Sequence, residues 1–597
     1  MKRTVIAALC ACAASTAWPQ DPEDAVVVTA TRFPQARSQT LQPVNIITAE
    51  DIARSGQQTL VEVLQTLGGV EIASNGGFGQ TSSVFMRGAN SNQTLVLVDG
   101  MRVNSATLGA TALENIPLNQ IERIEVVPGQ LSSLYGADAM GGVIQIFTKS
   151  GKYAPATNVT AGLGTYNTRS VSGGINRTIN NTDFSLNLGY FESRGFDATK
   201  SAAFGHNPDR DGYRNENFSG KIAHHLDERN ELGLTVFQSD GHTHFDAGPT
   251  TDDVNHQTLS AYSLYSSNQI TSVWQSLVRA GESTDDLTTT GAFPGFFRTR
   301  QPQLTWQNDI KLGPGTAIAG AEYLAQNVTS DTAYAQTHRT IKSAFAGYTG
   351  QQERHGWQAN IREDDNSQFG HHTTGLLGYA YRLTPELQLR VGAGTAFKAP
   401  TFNDLYFPGQ SNPDLRPERS RSKEAGVNYQ VGSNRFSATY FDNHITDLIV
   451  FPTFTSPPEN IDRARIKGTE LAYQGFFGGL QANAQLTFQD PVNEETGKLL
   501  QRRAREHGSL AISDAAGPWR LAAEVVASGA RFDSTDESPG TKMHGYGLLN
   551  LTASYALSRD WSVRARWNNV FDRKYELAQN FNTPGSNVFV AVQYQPR

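Results

Sequence analysis

Through the second half of the chain, apolar and polar residues alternate one for one. Leu480, Ala482, Ala484, Leu486 and Phe488 interleave with Gln481, Asn483, Gln485, Thr487 and Gln489, a period of two that gives an extended strand one apolar and one polar face. Leu549, Leu551, Ala553, Tyr555 and Leu557 repeat the pattern, as do Trp561, Val563, Ala565 and Trp567 against Ser562, Arg564, Arg566 and Asn568. A soluble β-sandwich alternates too. Here the alternation is sustained to a last run, Val588, Val590, Val592 and Tyr594, close to the C-terminus, as expected of strands with lipid on one side and water on the other. Arg564 and Arg566 must then face a wet lumen, since lipid exposure near the midplane would cost about 2–4 kcal/mol each. Residues 151–597, at about 20 positions per strand and connection, predict an all-β transmembrane barrel of roughly 22 antiparallel strands, which is wide enough to need filling.

The first part of the chain is patterned differently. Thr94 to Val98, Ile121 to Val127 and Val143 to Phe147 are continuous β-branched and aliphatic runs, each ended by turn chemistry such as Asp99-Gly100 or Pro128-Gly129. Thr59-Leu60-Val61-Glu62 is a capping box that predicts a short amphipathic helix stopped by Gly68-Gly69. Residues 33–150 thus form a small α+β unit. It keeps Arg87, Asp99, Arg102, Glu122, Arg123 and Glu125 among its apolar residues, so it is built to sit inside something polar. As a plug in the barrel it would close the pore at rest. Ahead of it, residues 18–32 contain the β-branched run Asp24, Ala25, Val26, Val27, Val28, Thr29 and Ala30, isolated by Pro22 and Pro34. This run reads either as an ordinary first strand or as an extended segment that offers unpaired backbone groups to a partner.

Composition agrees with a barrel and narrows the function. Apolar residues are 38%, aromatics 10%, mean hydropathy −0.43, and there are 55 glycines, a balance that excludes a helical membrane protein. Lys2 and Arg3 followed by an apolar run and small residues near Ala17 mark residues 1–17 as a secretory leader. Both cysteines, Cys10 and Cys12, lie within it, which leaves the mature chain no disulfide and no thiolate metal site. Losing Lys2 and Arg3 takes the formal charge from −7 to −9, against nucleic-acid binding. No phosphate-binding loop, nucleophile elbow, zinc-protease helix or dinucleotide fingerprint occurs, so an enzyme is disfavoured. His242 and His244 form a His-x-His pair, but no third imidazole is near them in sequence, and solvated loop histidines are the simpler reading.

These stretches resemble the TonB-dependent outer-membrane transporters. DAVVVTATR is similar to a Ton box, and MRGANSNQTLVLVDGMRVN with IERIEVVPGQLSSLYGADAMGGVIQI is similar to that family's plug. GTAFKAPTFNDLYFPGQSNPDLRPERSRSKEAGV and NNVFDRKYE are similar to its barrel, in the expected order. The resemblance implies a monomer in the outer membrane of a Gram-negative bacterium, its wall against lipid and lipopolysaccharide. It also implies that TonB, driven by an inner-membrane complex, recruits residues 24–30.

Two loops bear on the cargo. Several carboxylates and an amide there could supply the hard oxygens that calcium takes, although an acidic solvated loop is the plainer reading of the residues alone. Cobalamin-transporting members of the family are similar at these spots. That likeness implies calcium ligands at Asp197, Asn207, Asp209, Asp211, Asp246 and one of Asp252 or Asp253, with a backbone carbonyl from Phe245. It implies a corrinoid pocket at Thr81, Ser83 and Asn90, at Leu108 and Gly109, at Ala247, and at Arg502, which has Arg503 and Arg505 beside it. A tyrosine expected near Asp533 to Glu537 is absent. A ferric siderophore or heme as cargo, and a passive porin or a phage and colicin docking barrel, stay open as alternatives.

Overall fold

The computed structural model describes residues 26–452 and 456–596. The expected leader, Asp24 and Ala25 lie outside the described residues. From Thr157 onward the chain forms a closed barrel of 22 strands, each hydrogen-bonded to its neighbours in antiparallel register. Closure comes from Thr157–Gly164 pairing with Asn587–Tyr594, with Val159 opposite Tyr594 and Gly164 opposite Phe589. No helix among the described residues is long and apolar enough to cross a membrane; strands do the crossing.

The alternation read in the sequence sorts side chains as expected. Leu480, Leu486 and Phe488 are exposed on the outer wall, while Thr487 and Gln489 are buried. Trp519 lies tilted against Tyr555, ring centroids 4.7 Å apart, and Trp561 against Tyr594 at 4.9 Å. These pairs stand beside short turns, as an interfacial aromatic girdle does at the periplasmic end. Arg564 and Arg566 point inward. They donate to the carbonyls of Ala53 and Ser55, and Arg566 also pairs with Glu524 at 2.5 Å. Those carbonyls close a helix of the plug, where a positive charge is favourable.

The N-terminal segment holds strand β1 (Val26–Val27), and the plug holds β2 (Gln35–Ala36), β3 (Asn45–Thr48), β4 (Glu71–Ser74), β5 (Ser82–Phe85), β6 (Thr94–Val98), β7 (Met101–Arg102), β8 (Ile121–Pro128) and β9 (Gly142–Thr148). A mixed sheet runs in the order β3-β8-β9-β6-β7, with β6 and β9 parallel. Helix α1 spans Ala49–Ser55. Helix α2, Leu60–Leu67, starts at the expected box, where Thr59 accepts from the Glu62 amide. It buries Leu60, Val63 and Leu64 against Val96, Ile124, Ile144 and Ile146. Phe237, Leu259 and Ala261 of the barrel belong to the same cluster, so the plug's thin core is completed by the wall around it.

Charges the plug could not bury alone are matched by the wall. Arg87 meets Glu424 at 2.9 Å and Glu470 at 2.8 Å, its guanidinium over the Phe441 ring at 5.0 Å. Lys398, on the barrel, pairs with Asp138 at 3.0 Å. Removing one partner of such a buried group strands the others and costs about 3–5 kcal/mol. Arg87→Ala is therefore expected to leave the barrel folded and loosen the plug. Trypsin should then cut residues 33–150 in intact outer membranes faster than in the parent, and an unchanged cleavage rate would refute this.

Candidate functional site

At the end of the barrel with the longer loops, two of them meet over the plug. The strands Thr182–Phe196 and Asp211–His225 are joined by the first, and Asn230–Phe245 and Asp253–Thr271 by the second. Carboxylate oxygens of Asp209, Asp211 and Asp246 lie within 4.8 Å of one another, and Asp246 also forms a group with Asp197 and His206. Asp211 is buried and accepts from the Ala198 amide at 2.7 Å. Asn207 donates to Asp209 at 2.8 Å. Burial pushes the Asp211 carboxyl up to about 7, against the Ala198 amide, with Asp246, Asp209 and Asp197 adding to the rise. Burial and then Asp246 and Asp252 raise Asp209 as well. This is crowded negative charge presented by hard oxygen donors, the chemistry that suits calcium. His206, which sequence reading passed over, touches the group through Thr199 at 2.9 Å.

Asp253 stands outside these groups. Asp253 is committed to its own loop, accepting from the amides of Ala247 (2.9 Å), Gly248 (3.0 Å) and Ala292 (2.5 Å) and from the Thr251 hydroxyl (2.9 Å). Phe245 ends its strand in register with Asp253. Asp252 is exposed and pairs with His244 at 2.7 Å.

The loops grip the plug. Gln80 donates to the His244 carbonyl at 2.7 Å, and Thr243 donates to the Gly79 carbonyl at 3.1 Å. Next along the plug from these bonds, Thr81 is exposed and Ser83 half-buried. A second plug apex is held by the barrel, where Phe402 and Asn403 donate to the carbonyls of Ala106 and Thr107 at 3.1 and 3.2 Å. Leu108 at its tip is 55% exposed. Gly109 has φ +74°, and a Cβ there would lie 3.0 Å from both Lys398 and Thr401. Arg502 turns away to Asp533, with Nη2 at 3.2 Å from Oδ2. It is Arg503 that reaches the plug, donating to Asn90 and to the Gly88 carbonyl (3.1 Å) and lying over Phe85 at 4.3 Å. Among three nearby arginines, side-chain direction was not legible from spacing.

At the other end, the β-branched N-terminal run is not left extended. Val26–Val27 folds back on Gln35–Ala36, and Val27, Thr29 and Ala30 are buried. The reason is chemical. One Glu125 oxygen accepts from Val28 N (3.0 Å), Thr29 N (2.9 Å) and Thr29 Oγ1 (2.7 Å), while Arg123 holds the other at 3.0 Å. Val27, Ala30 and Phe33 pack with Ile318 and Phe345 of the wall, and Arg32 pairs with Glu322 at 2.5 Å. Between plug and wall remains a cavity of about 250 Å³ lined by Arg32, Asp99, Arg102, Tyr135 and Arg279.

A plug and a β-barrel are what the family models also find. The TonB-dependent receptor plug domain matches residues 36–143, and the TonB-dependent receptor-like β-barrel matches residues 154–570. The chain is a TonB-dependent receptor. It resides in the outer membrane, works with TonB on a ligand, and is a transporter, not an enzyme. A relative from Photobacterium profundum, named vitamin B12 transporter BtuB, is 30% identical over 613 residues and spans all of both chains. Another of that name from Vibrio vulnificus is 32% identical, covering 96% of this receptor and 95% of the relative. Among solved structures, a variant of the ferric enterobactin receptor PfeA of Pseudomonas aeruginosa superposes with TM-score 0.78 at 20% identity, covering 96% of this receptor and all of that one. The siderophore receptor PiuA of Acinetobacter baumannii reaches 0.80 at 14% identity, with coverage of 96% and all of that chain. At such identities the likeness to these two is one of fold.

Proposed function

We propose that this receptor imports cobalamin or a related corrinoid, bound between the outer loops and the two plug apices. The observation that carries the reading is full-length similarity to relatives named vitamin B12 transporters. The arrangement of the site supports it. Thr81, Ser83, Asn90, Leu108, Gly109 and Ala247 are small, amide or apolar residues, suited to close approach of a wide ring and to bonding its peripheral amides. Arg502, tied to Asp533, would frame a later loop. Asp209, Asp211 and Asp246, with Asp197 and Asn207 beside them, would hold calcium, whose charge neutralises the cluster and orders the loops; Asp252 is better freed than Asp253 to join them. Residues 24–30 would be the segment that TonB pairs with, once Glu125 lets go. Purified receptor titrated with cyanocobalamin in millimolar calcium should bind it, and ferric siderophores and heme should fail to compete. Competition by either, with no cyanocobalamin binding, would overturn the corrinoid reading and leave the transporter standing.

The Glu125 clasp gives a separate test. Hydrogen bonds to a charged group contribute about 1.5–3 kcal/mol each; in a Thr29→Cys receptor, which already lacks the hydroxyl bond, Glu125→Ala removes the two remaining bonds, from the amides of residues 28 and 29. A cysteine introduced at Thr29 should react with a water-soluble thiol reagent on the order of tenfold faster or more in the Glu125→Ala background. Equal labelling rates would show that the clasp does not hold the segment.

A further inference from the structure

The strand register assembles a second set of metal-ligating side chains, on the opposite face of the wall from the ligand loops' carboxylates. On the strand Asn230–Phe245, Ser239 and Thr243 point inward, donating to the plug carbonyls of Asn115 and Gly79. Asp240 and His242, between them in sequence, therefore lie on the outer surface, two residues apart on one face. The neighbouring strand Asp253–Thr271 places His256 directly opposite His242. The two imidazoles stack at 4.1 Å with 13° between their planes. Both aim Nε2 at one carboxylate: His256 lies 3.0 and 2.9 Å from the two Asp240 oxygens, and His242 lies 3.2 Å from Oδ1. One donor atom from each residue lies within 4.8 Å of the others.

We propose that Asp240, His242 and His256 bind a divalent transition-metal ion, zinc by their donor set, on the outer wall of the barrel. Zinc with bonds of about 2.0–2.2 Å in a tetrahedron separates its ligand atoms by roughly 3.3–3.6 Å. The Asp240 oxygens lie 2.9–3.2 Å from the two imidazoles, and one donor atom of each residue lies within 4.8 Å of the others, so small rotations admit the ion. Two nitrogens and one oxygen suit zinc and its neighbours and do not suit calcium or magnesium, which take oxygen. Thr258 donates to Asp240 Oδ2 at 2.7 Å and would hold the ligating carboxylate in place from behind. The nearest competing cation, Arg214, is register-opposite His242 on the other neighbouring strand but sits 3.9 Å from Glu216. Three protein ligands leave a fourth position directed away from the wall, toward water or an anionic headgroup. His242 and His256 lie at the root of the hairpin whose loop carries Asp246 and Ala247. Zinc would pin that root.

The bland alternative is a carboxylate shared by two imidazoles with no metal. To decide, full-length mature receptor in detergent is stripped with chelator, returned to millimolar calcium to saturate oxygen-lined sites, and titrated with zinc against a chromogenic chelator. One zinc per chain is expected. His242→Gln and His256→Gln should each weaken it at least about 100-fold, more than the loss of an outer hydrogen-bond partner costs, with barrel folding verified by heat-modifiable migration. Asp240→Asn supplies a third variant that keeps the side-chain shape. Absence of zinc binding in the parent, or binding indifferent to His256→Gln, overturns the site. Loss in His206→Gln with His256→Gln unaffected would move zinc to the loop carboxylates and overturn it equally.

Discussion

A Val27→Pro receptor is expected to bind ligand at the cell surface as the parent does and to import none of it. Val27 lies in the run proposed to pair with TonB by strand addition, where backbone donors and acceptors provide the affinity. Proline removes one donor and fixes φ near −65°, so the recruited strand loses its ladder at the centre. In the resting receptor the same residue pairs only with Gln35, in a ladder of two residue pairs, and sits in an apolar cluster with Ile318 and Phe345. The outer loops and plug apices do not touch that ladder, so surface binding is spared. Labelled cyanocobalamin bound by de-energised cells should match the parent, while energy-dependent accumulation should fall to the level of a strain without the receptor. Accumulation at the parental rate would remove residues 24–30 from the energised step.

What was legible in the sequence follows from how local each cause is. The strand faces around Leu486 and Arg566 rest on a period of two, and helix α2 on Thr59 and Glu62 three residues apart; both patterns are complete within a short window. Glu125 was visible as a charge among apolar neighbours, yet its partners, the amides of Val28 and Thr29, are 97 and 96 residues away. Without them the N-terminal run read equally as a first strand or as a free extended segment. Register hides more. His242 lacked a third ligand in sequence because His256 arrives across a hairpin, and Asp253 could not be told from Asp252 until four donors were seen to converge on it. Arg502 and Arg503 sit at a turn, Arg502 with φ +65°, where no periodicity says which of them faces the plug. Sites assembled from two loops or two strands are fixed by pairing, which composition and spacing do not encode.

The second large effect concerns calcium. Without the proposed calcium, Asp209, Asp211 and Asp246 would repel one another, and the two loops would have less reason to close over the plug. Ligand affinity is therefore expected to rise in millimolar calcium, by a factor in the range of about 5–150 typical of coupled sites, and the ligand should tighten calcium by the same factor. Protons compete for the same oxygens. Because Asp211 without metal titrates at about 7, acidification below that value protonates a ligand that calcium needs bare. Calcium affinity should then fall by up to about tenfold per pH unit; above pH 7 this group no longer contributes a dependence. Replacing Asp209 and Asp211 together by alanine should abolish both the calcium dependence and this pH dependence while leaving barrel assembly intact. Asp209 lies in the loop, and Asp211 is the first residue of its strand, bonded through its side chain only to Ala198. Titrating cyanocobalamin into parent and double variant, in chelator and in calcium, at pH 6 and pH 8, separates the outcomes. Equal affinity of the parent with and without calcium would remove calcium from the loops. A double variant that still responds to calcium would instead place the cation on other oxygens.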